Sequence, residues 1–471
     1  MSDERISGLI QEATKLRYSR RQILKRAGVL GLSASAVGTV LTSRGYAAAS
    51  AAPARRAPAF LQGTSLNVLA GSYFVPTAQD FFDQQVKEWG DQNGVTITTD
   101  YINWPDIQAR IAAAVEGGSG PDIVEMRDPW PYLYYQNMVP MDTEAAALGE
   151  SLGGYYDWVT NTVAVDGKWY SIPVGSSSAA YAYRISHFEQ AGVTDPKNNF
   201  PKTYDELFTV GKALKEMGKP LGQAFGHSTG DPPNFAYGYM WSYGAMEVEE
   251  DGKTVAFNKP EFVEGLTRFV QAWTEAFDET GLSWDDSANN RAFLSDQISA
   301  TINGSSIYLT AQEAKAGAAD TDFEVIVDPA DIWHARHPAG PSGAFMPLAS
   351  WSYAVMNYSE NQEPAKQFLQ WWTSKEPFTA WLEAQKGYII PMAPGYAELP
   401  VFTSDPALAP YATVADIARN KGFAGPTNQK AAQVSSQYII SDTFANAIQT
   451  GDAASAIQQG AAQLERIYGR E

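Results

Sequence analysis

An alternation of strand-like and helix-like segments between Leu66 and Met126 constrains the fold of this chain more than any other feature of its sequence. Pro105 stands in the first turn of the second predicted helix, and Gly117 and Gly118 end that helix. Connections this short join parallel strands by right-handed crossovers, so we predict a parallel α/β sheet with ligands bound beyond the carboxyl ends of its strands. The three predicted strands are 66–71, 95–101 and 122–126.

A second α/β region follows along the chain. Thr203 and Glu206 form a capping-box pattern, in which each side chain satisfies a backbone N–H group at the start of a helix. Strands that return late in the sequence imply lobes built from discontinuous segments. The further predicted helices are 260–277, 363–373 and 375–385, and the late predicted strands are 300–304 and 351–356.

The first 60 residues differ in charge from the rest of the chain. They hold ten basic and three acidic residues, whereas the remainder holds 24 basic and 50 acidic residues. The segment Ser19–Lys25 resembles a twin-arginine export signal, with Ile23 in place of the common Phe. An amphipathic surface helix or a membrane anchor are the alternatives, but the stretch 27–43 is rich in Gly, Ser and Ala and weakly apolar. We therefore expect a removable signal, cleaved after Ala49 or Ala52, and a soluble exported protein.

Composition excludes several classes of function. The chain has no cysteine, which rules out disulfides, iron–sulfur clusters, thiolate zinc sites and cysteine nucleophiles. Its net charge of -19 argues against a nucleic-acid partner. His334 and His337 have helical spacing but no acidic third ligand, so we predict no metal site, and no phosphate loop or other cofactor motif is found.

Several segments in a fixed order resemble the extracytoplasmic solute-binding proteins of ABC importers, in the carbohydrate-binding class similar to maltose-binding protein. Each segment is a weak signal by itself, but together they cover nearly the whole chain after the leader. The segments are 113–124, which ends in Gly-Pro-Asp-Ile-Val, 166–173, 201–207, 300–305, and 351–355 leading into 363–371.

The resemblance implies a type II periplasmic binding protein fold, with two discontinuous α/β lobes joined by three crossings. We expect the leader at 1–63, lobe 1 at 66–174 and 300–345, and lobe 2 at 175–299 and 346–471. The crossings would lie near 174–178, 293–299 and 345–351. The implied protein is a monomer without catalytic activity, which captures a carbohydrate or polyol between its lobes and delivers it to the transmembrane permease subunits of an ABC importer.

A carbohydrate site needs flat aromatic faces and hydrogen-bonding edge groups. Trp351 is the strongest aromatic candidate because its position resembles the family's sugar-stacking residue; Trp104, Trp130 and Trp241 also follow strands or lie near crossings. Core packing or turn formation is the alternative use of every candidate. The edge candidates are Tyr73, Asp128, Ser176, Ser178, Asn303, Gly304, Ser342 and Gly343, with Tyr181 and Tyr183 as further hydroxyls.

Two alternatives remain open at this point. Arg127 and Arg184 have the chemistry to bind a carboxylate ligand bidentately, although an internal ion pair is the expected use of each. A secreted glycoside hydrolase or lyase would also combine many carboxylates with many tryptophans, but no catalytic carboxylate pair can be placed from the sequence.

Overall fold

The computed structural model describes residues 61–127, 129–177, 179–319 and 321–470. The predicted export signal lies outside the described residues, and so do two of the predicted site residues, Asp128 and Ser178. Within the described ranges, no helix combines the length and the apolar character that crossing a membrane requires.

A six-stranded sheet, here the large sheet, organises the first part of the chain. Ser65–Gly71 pairs in parallel with Thr96–Ile102 on one side and with Ile123–Met126 on the other, which confirms the parallel arrangement predicted from the alternating pattern. Trp351–Val355 and Ile172–Ser177 continue the sheet in antiparallel pairs, and the edge strand is Ile389–Ile390. The helices of this region are Pro76–Asn93, Trp104–Gly117, Pro131–Tyr134, Asp142–Ser151, Asp157–Val163, Gln362–Trp372 and Lys375–Ala384.

A three-stranded antiparallel sheet, the small sheet, organises the second part. Ala180–Arg184 is its central strand and lies between Ala300–Asn303 and Ile332–Ala335. Two short ladders, 164–165 with 168–169 and 346–347 with 418–419, lie outside both sheets. The helices of this region are Ile185–Gln190, Tyr204–Glu216, Asp231–Ser242, Pro260–Ala276, Ala288–Leu294, Ser306–Lys315, Pro400–Thr403, Ala409–Ala412, Gln429–Ser436, Ile439–Thr450 and Ala453–Tyr468.

Each sheet has an aromatic core of its own. On the large sheet, Phe82 packs edge-on against Trp372 with ring centroids 4.9 Å apart, and Tyr353 lies 5.1 Å from the same indole. Beside the small sheet, Phe235 and Phe269 pack 4.8 Å apart within a separate cluster. Two cores stabilise two bodies, which we call the first lobe and the second lobe.

The predicted assignment of the late strands to the lobes is wrong. Ala300–Asn303, expected in the first lobe, pairs with Ala180–Arg184 in the small sheet, and Trp351–Val355, expected in the second lobe, lies between two strands of the large sheet. The expected crossing at 293–299 therefore stays within the second lobe. Hydrophobic patterning predicts that a strand forms, but the strand's partner is decided by contacts far away in sequence.

The chain passes between the two sheets at 177–180, again at 347–351, and a third time between 391 and 406. Gly175 lies just before the first crossing with a φ of +97°, and a Cβ atom there would stand 2.2 Å from the carbonyl oxygen of Ile390. Glycine is needed at this point because only a residue without a side chain combines that backbone conformation with so close an approach. The close pairing holds Ser176 and Ser177 opposite Ile390 and Ile389 at the edge of the large sheet.

The capping box at Thr203 is confirmed. The Thr203 hydroxyl accepts a hydrogen bond from the backbone N–H of Glu206, and the Glu206 carboxylate accepts one from the N–H of Thr203. We expect Thr203→Ala to lower the free energy of unfolding by about 1 kcal/mol, because the helix loses a cap. Thr209→Ala, in the exposed interior of the same helix, is the control and should cost less. If urea unfolding shows that both variants lose the same free energy of unfolding, the cap contributes nothing to stability.

Candidate functional site

The gap between the lobes holds an open pocket with an empty volume of about 430 Å³. Arg127 and Trp351 of the first lobe line one side, and Thr229 and Lys421 of the second lobe line the other. Ser176 and Ser177, at the end of the strand that leads into the first crossing, also line it. Side chains from both lobes and from the crossing therefore meet around one volume, which is the arrangement that a ligand-driven closure requires.

The side chain of Arg127 lies between two indole rings. Its guanidinium carbon is 3.4 Å from the ring centroid of Trp104 and 4.0 Å from that of Trp351. Trp104 is itself held in place, because its Nε1 donates to the carbonyl oxygen of Ser72 at 3.0 Å and its ring packs on Gly71, where a Cβ atom would lie 2.1 Å away. Arg127 is 5% exposed, so the two indoles fix the plane of a nearly buried cation.

Arg127 also reaches the opposite lobe. Its Nη1 donates a hydrogen bond to the hydroxyl oxygen of Thr229 at 3.3 Å, directly before the helix Asp231–Ser242. This contact joins the end of a large-sheet strand to the second lobe across the pocket. The guanidinium is therefore both part of the pocket wall and a bridge between the lobes.

A smaller pocket of about 260 Å³ lies on the other side of Trp351. Tyr73, Tyr388 and the carboxyl of Glu125 line it, and Glu125 accepts a hydrogen bond from the backbone N–H of Gly71 at 3.1 Å. Burial raises the pKa of Glu125 to about 7, against the opposing influence of Arg127 and of the hydrogen bond from Gly71. This carboxyl therefore titrates near neutral pH rather than near the ordinary glutamate value of 4.5.

Two buried carboxyls of the second lobe lie next to Gly230, which lines the pocket. Asp286 accepts hydrogen bonds from the backbone N–H groups of Gly230 at 3.0 Å and Asp231 at 2.7 Å, and so caps the helix. The carboxylate of Asp231 accepts from the side-chain amide of Asn289 at 2.7 Å. Burial raises the pKa of Asp231 and of Asp286, which favours their neutral forms.

The sequence of this chain matches a known protein family. A family model described as "Bacterial extracellular solute-binding protein" matches residues 84–410. The chain belongs to this family. A solute-binding protein of this family binds its ligand without converting it, so membership confirms the predicted binding-protein class over the enzymatic alternative.

Related solute-binding proteins share little sequence but nearly the whole fold. The erythritol/L-threitol-binding protein of Mycolicibacterium smegmatis is 23% identical over 393 residues, which are 76% of this chain and 78% of that protein. An ABC transporter solute-binding protein of Thermotoga lettingae, solved with α-D-tagatose, superposes with a TM-score of 0.71 at 18% identity over 86% of this chain and all of the other. The GacH receptor of Streptomyces glaucescens, solved unliganded and with acarbose, gives 0.71 at 17% identity over 86% and 98%. The two-lobe fold is confirmed.

Several predicted site residues of this solute-binding protein come together in the gap. Trp351 and Ser176 line the larger pocket, and Trp104, Trp351 and Tyr73 line the smaller one. Trp130 lines a third pocket, of about 320 Å³, which shares Thr229 and Lys421 with the larger one. Side chains predicted from separate motifs therefore line three neighbouring pockets, which have Trp351, or Thr229 and Lys421, in common.

Asn303 and other predicted residues lie outside these pockets. Asn303 is buried behind the wall, where its amide group lies 3.5 Å from the Asp231 carboxylate, and Gly304 follows it in the chain. Trp241 is 2% exposed and packs edge-on against Tyr237 in the core of the second lobe. Ser342 and Gly343 form a turn in which the N–H of Ser342 donates to the carbonyl oxygen of Ser242 at 2.9 Å.

The remaining candidates have internal partners. Arg184 forms ion pairs with Asp296 and with Asp331, the second at 2.8 Å. This side chain is therefore used in internal ion pairs, as expected. Tyr181 and Tyr183 are both buried in the core of the second lobe. His334 and His337 are buried and bonded to backbone carbonyl oxygens, and burial lowers the pKa of each to about 4. Among the described residues no cluster of three or more metal-ligating side chains occurs.

Sequence reasoning missed four residues that matter here. The sequence offered a signal for Glu125, because an acidic residue within an apolar strand indicates a buried charge that needs a hydrogen-bond or ionic partner. Asp231 had a weaker one, as an acid directly before two prolines at the start of a helix. Thr229 and Lys421 had none, since they come from segments that approach the site only through tertiary folding.

The raised pKa of Glu125 predicts a pH dependence of stability. Between the usual glutamate value of 4.5 and about 7, the folded state binds more protons than the unfolded state, so the free energy of unfolding should fall as pH rises through this window. Each unit of elevation corresponds to about 1.4 kcal/mol. Glu125→Gln removes this contribution, while Asp231 and Asp286 remain in both proteins. Urea unfolding at a series of pH values should therefore give a shallower decline for the variant; parallel curves would contradict the assignment.

Proposed function

We propose that this solute-binding protein captures a carbohydrate or polyol in the gap between its lobes and delivers it to the transmembrane subunits of an ABC importer. The observation that carries the proposal is the convergence of Arg127, Trp351, Ser176 and Thr229 on one pocket from both lobes and a crossing. A hydroxyl-rich ligand satisfies such a wall, because hydroxyls accept hydrogen bonds from guanidinium groups and both donate to and accept from hydroxyl and amide groups around an aromatic surface.

The ligands of related proteins support this class. The relative from Mycolicibacterium smegmatis is named for two polyols, and the similar structures contain tagatose and acarbose. Affinity in the micromolar range, about -8 kcal/mol, would suffice for capture. A ligand that touches both lobes only when the gap is narrow would stabilise the closed form by the difference in its affinity for the two forms.

Export and assembly follow from the same proposal. We propose that a leader within residues 1–60 carries a twin-arginine signal that directs the chain out of the cytoplasm, and that the exported protein works as a monomer. The predicted end of the leader at residue 63 is wrong, because Leu61 is buried in the core of the first lobe and the N–H of Gly63 donates to the carbonyl oxygen of Gly94 at 2.9 Å. Membership of a family described as extracellular supports a location outside the cytoplasm. Replacing Arg20 and Arg21 by Lys should retain the full-length precursor inside the cell, which fractionation and immunoblotting would measure.

Trp351→Ala tests the site. The indole borders both the larger and the smaller pocket and supports the guanidinium of Arg127 from one side. Its loss removes an apolar surface and a support at once, so binding should weaken by about tenfold or more, on the order of 1.4 kcal/mol. A thermal-shift screen over sugars and polyols would identify the ligand, and calorimetry would measure the affinity of both proteins.

Trp371→Ala is the matched control. Trp371 is a half-buried indole of the first lobe that packs on Phe368, away from the pockets described above. It should lower stability without changing affinity. Equal affinity in the wild type and in Trp351→Ala would remove Trp351 from the site, and turnover of any sugar would contradict the proposed function.

A further inference from the structure

A pocket beside the third crossing has an almost wholly apolar lining, and we call it the apolar pocket. Its empty volume is about 620 Å³. Val401 and Phe402 come from the crossing segment, and Ile390 comes from the edge strand of the large sheet. Leu408 and Val414 follow the crossing and line the pocket as well. Among the described residues that line this pocket none carries a charge, which is typical of a site for an apolar group.

Three further aromatic residues line the apolar pocket. The hydroxyl of Tyr411 donates to the carbonyl oxygen of Asn303 at 3.2 Å, so this hydroxyl is already bonded within the protein. Tyr156 and Trp158 are half-buried, and their rings are nearly parallel, with centroids 6.4 Å apart and an angle of 14° between the planes. A ligand that covers such flat apolar surface removes it from water and gains free energy.

The apolar pocket is separate from the gap between the lobes. None of its described lining residues lines the gap pockets of about 430, 320 and 260 Å³. At the edge of the large sheet, Tyr388 lines the smallest of these gap pockets, whereas Gly387 and Ile390 line the apolar pocket. A molecule in the apolar pocket therefore uses none of the side chains that the proposed gap ligand contacts.

An open groove adjoins the apolar pocket, and we call it the outer groove. Tyr156 and Trp158 line both cavities, and the groove has an empty volume of about 1660 Å³. Carboxylates accept hydrogen bonds from sugar hydroxyls, a guanidinium donates to them, and amide and hydroxyl side chains do both. Side chains of all four kinds line the groove: Asp157, Asn161 and Asp166 from the first lobe, and Arg419 and Thr427 from the second lobe.

The two cavities together match an amphipathic molecule. An apolar molecule would leave the polar groups of the outer groove without a ligand partner, and a free sugar would leave the apolar pocket empty. We infer that Tyr156 and Trp158 mark a second binding site, which takes a glycoside with its alkyl or aryl group in the apolar pocket and its sugar in the outer groove. This site is additional to the gap and does not depend on the function proposed for the gap.

Matched alkyl glycosides test the inference by calorimetry on the purified protein. Hexyl and methyl β-D-glucopyranoside form one pair, hexyl and methyl β-D-galactopyranoside form the other, and 1-hexanol is the probe without a sugar. All are used below the concentrations at which micelles form. In at least one pair the hexyl glycoside should bind about tenfold or more tightly than both the methyl glycoside and 1-hexanol, because it alone fills both cavities. The preference should persist in Trp351→Ala, which alters the gap.

A variant that fills the apolar pocket locates the alkyl group. Val401 is half-buried, and Val401→Trp places an indole in the pocket, so it should weaken binding of the hexyl glycoside by about tenfold or more. Ile326→Trp is the matched control, because Ile326 is 56% exposed and lies outside the pocket, and it should bind like the wild type. If Val401→Trp fails to fold, Ala397→Trp, at an exposed position of the pocket wall, carries the test.

A variant without the groove carboxylates locates the sugar. Asp157→Asn combined with Asp166→Asn should weaken binding of the hexyl glycoside by about threefold or more and leave that of 1-hexanol unchanged. Asp195→Asn combined with Asp322→Asn removes two exposed carboxylates outside the groove and should have no effect.

The outcomes that overturn the inference differ from those that bear on the gap. Equal binding of the methyl glycosides or of 1-hexanol overturns it, as does unchanged affinity in either the filled-pocket variant or the groove variant. Failure of both hexyl glycosides to bind overturns it too. Binding that Trp351→Ala abolishes and Val401→Trp retains places the glycoside in the gap, which overturns the second site and supports the proposed function.

Discussion

A guanidinium group enclosed by two indole rings is the interaction on which the described site depends. Arg127 stands at the end of a central strand of the large sheet, with Trp104 and Trp351 on its faces. Burying the cation is costly, and the ring faces offset part of that cost, by about 2 kcal/mol or more for a desolvated pair. The gain is a charged group with a fixed plane, which reaches Thr229 on the other lobe. The pocket takes its shape and its charge from this arrangement.

The position of the pocket follows from how the chain divides between two sheets. Ile172–Ser177 belongs to the large sheet and Ala180–Arg184 to the small one, so only a few residues connect the two bodies at the first crossing. Each body has its own aromatic core, and Trp158 packs against both of them. Ser176 and Ser177 end the large-sheet strand that leads into the first crossing, so they line the pocket at the point where the two bodies are joined.

Local features of the sequence predicted local structure well. The alternation from Leu66 to Met126 and the capping box at Thr203 depend on residues close together in the chain, and both are present in the structure. The assignment of Ala300–Asn303 and Trp351–Val355 to lobes failed, because strand partners are chosen through contacts over long sequence separations. Among the tryptophans, Trp351 and Trp241 both follow apolar segments, yet one borders the pocket and the other lies in a core. Aromatic character alone carries no information about which surface a side chain faces.

The sequence by itself determined the α/β class, the family and the supply of aromatic and polar groups, since these follow from periodicity, composition and ordered motifs. Only the tertiary structure decided that Arg127 lies between Trp104 and Trp351 and that Lys421, almost 300 residues later, faces the same volume. The physical reason is that charge and shape at a site are sums over groups brought together by folding. A cation's partners, its burial and its accessible edge exist only once both lobes are in place.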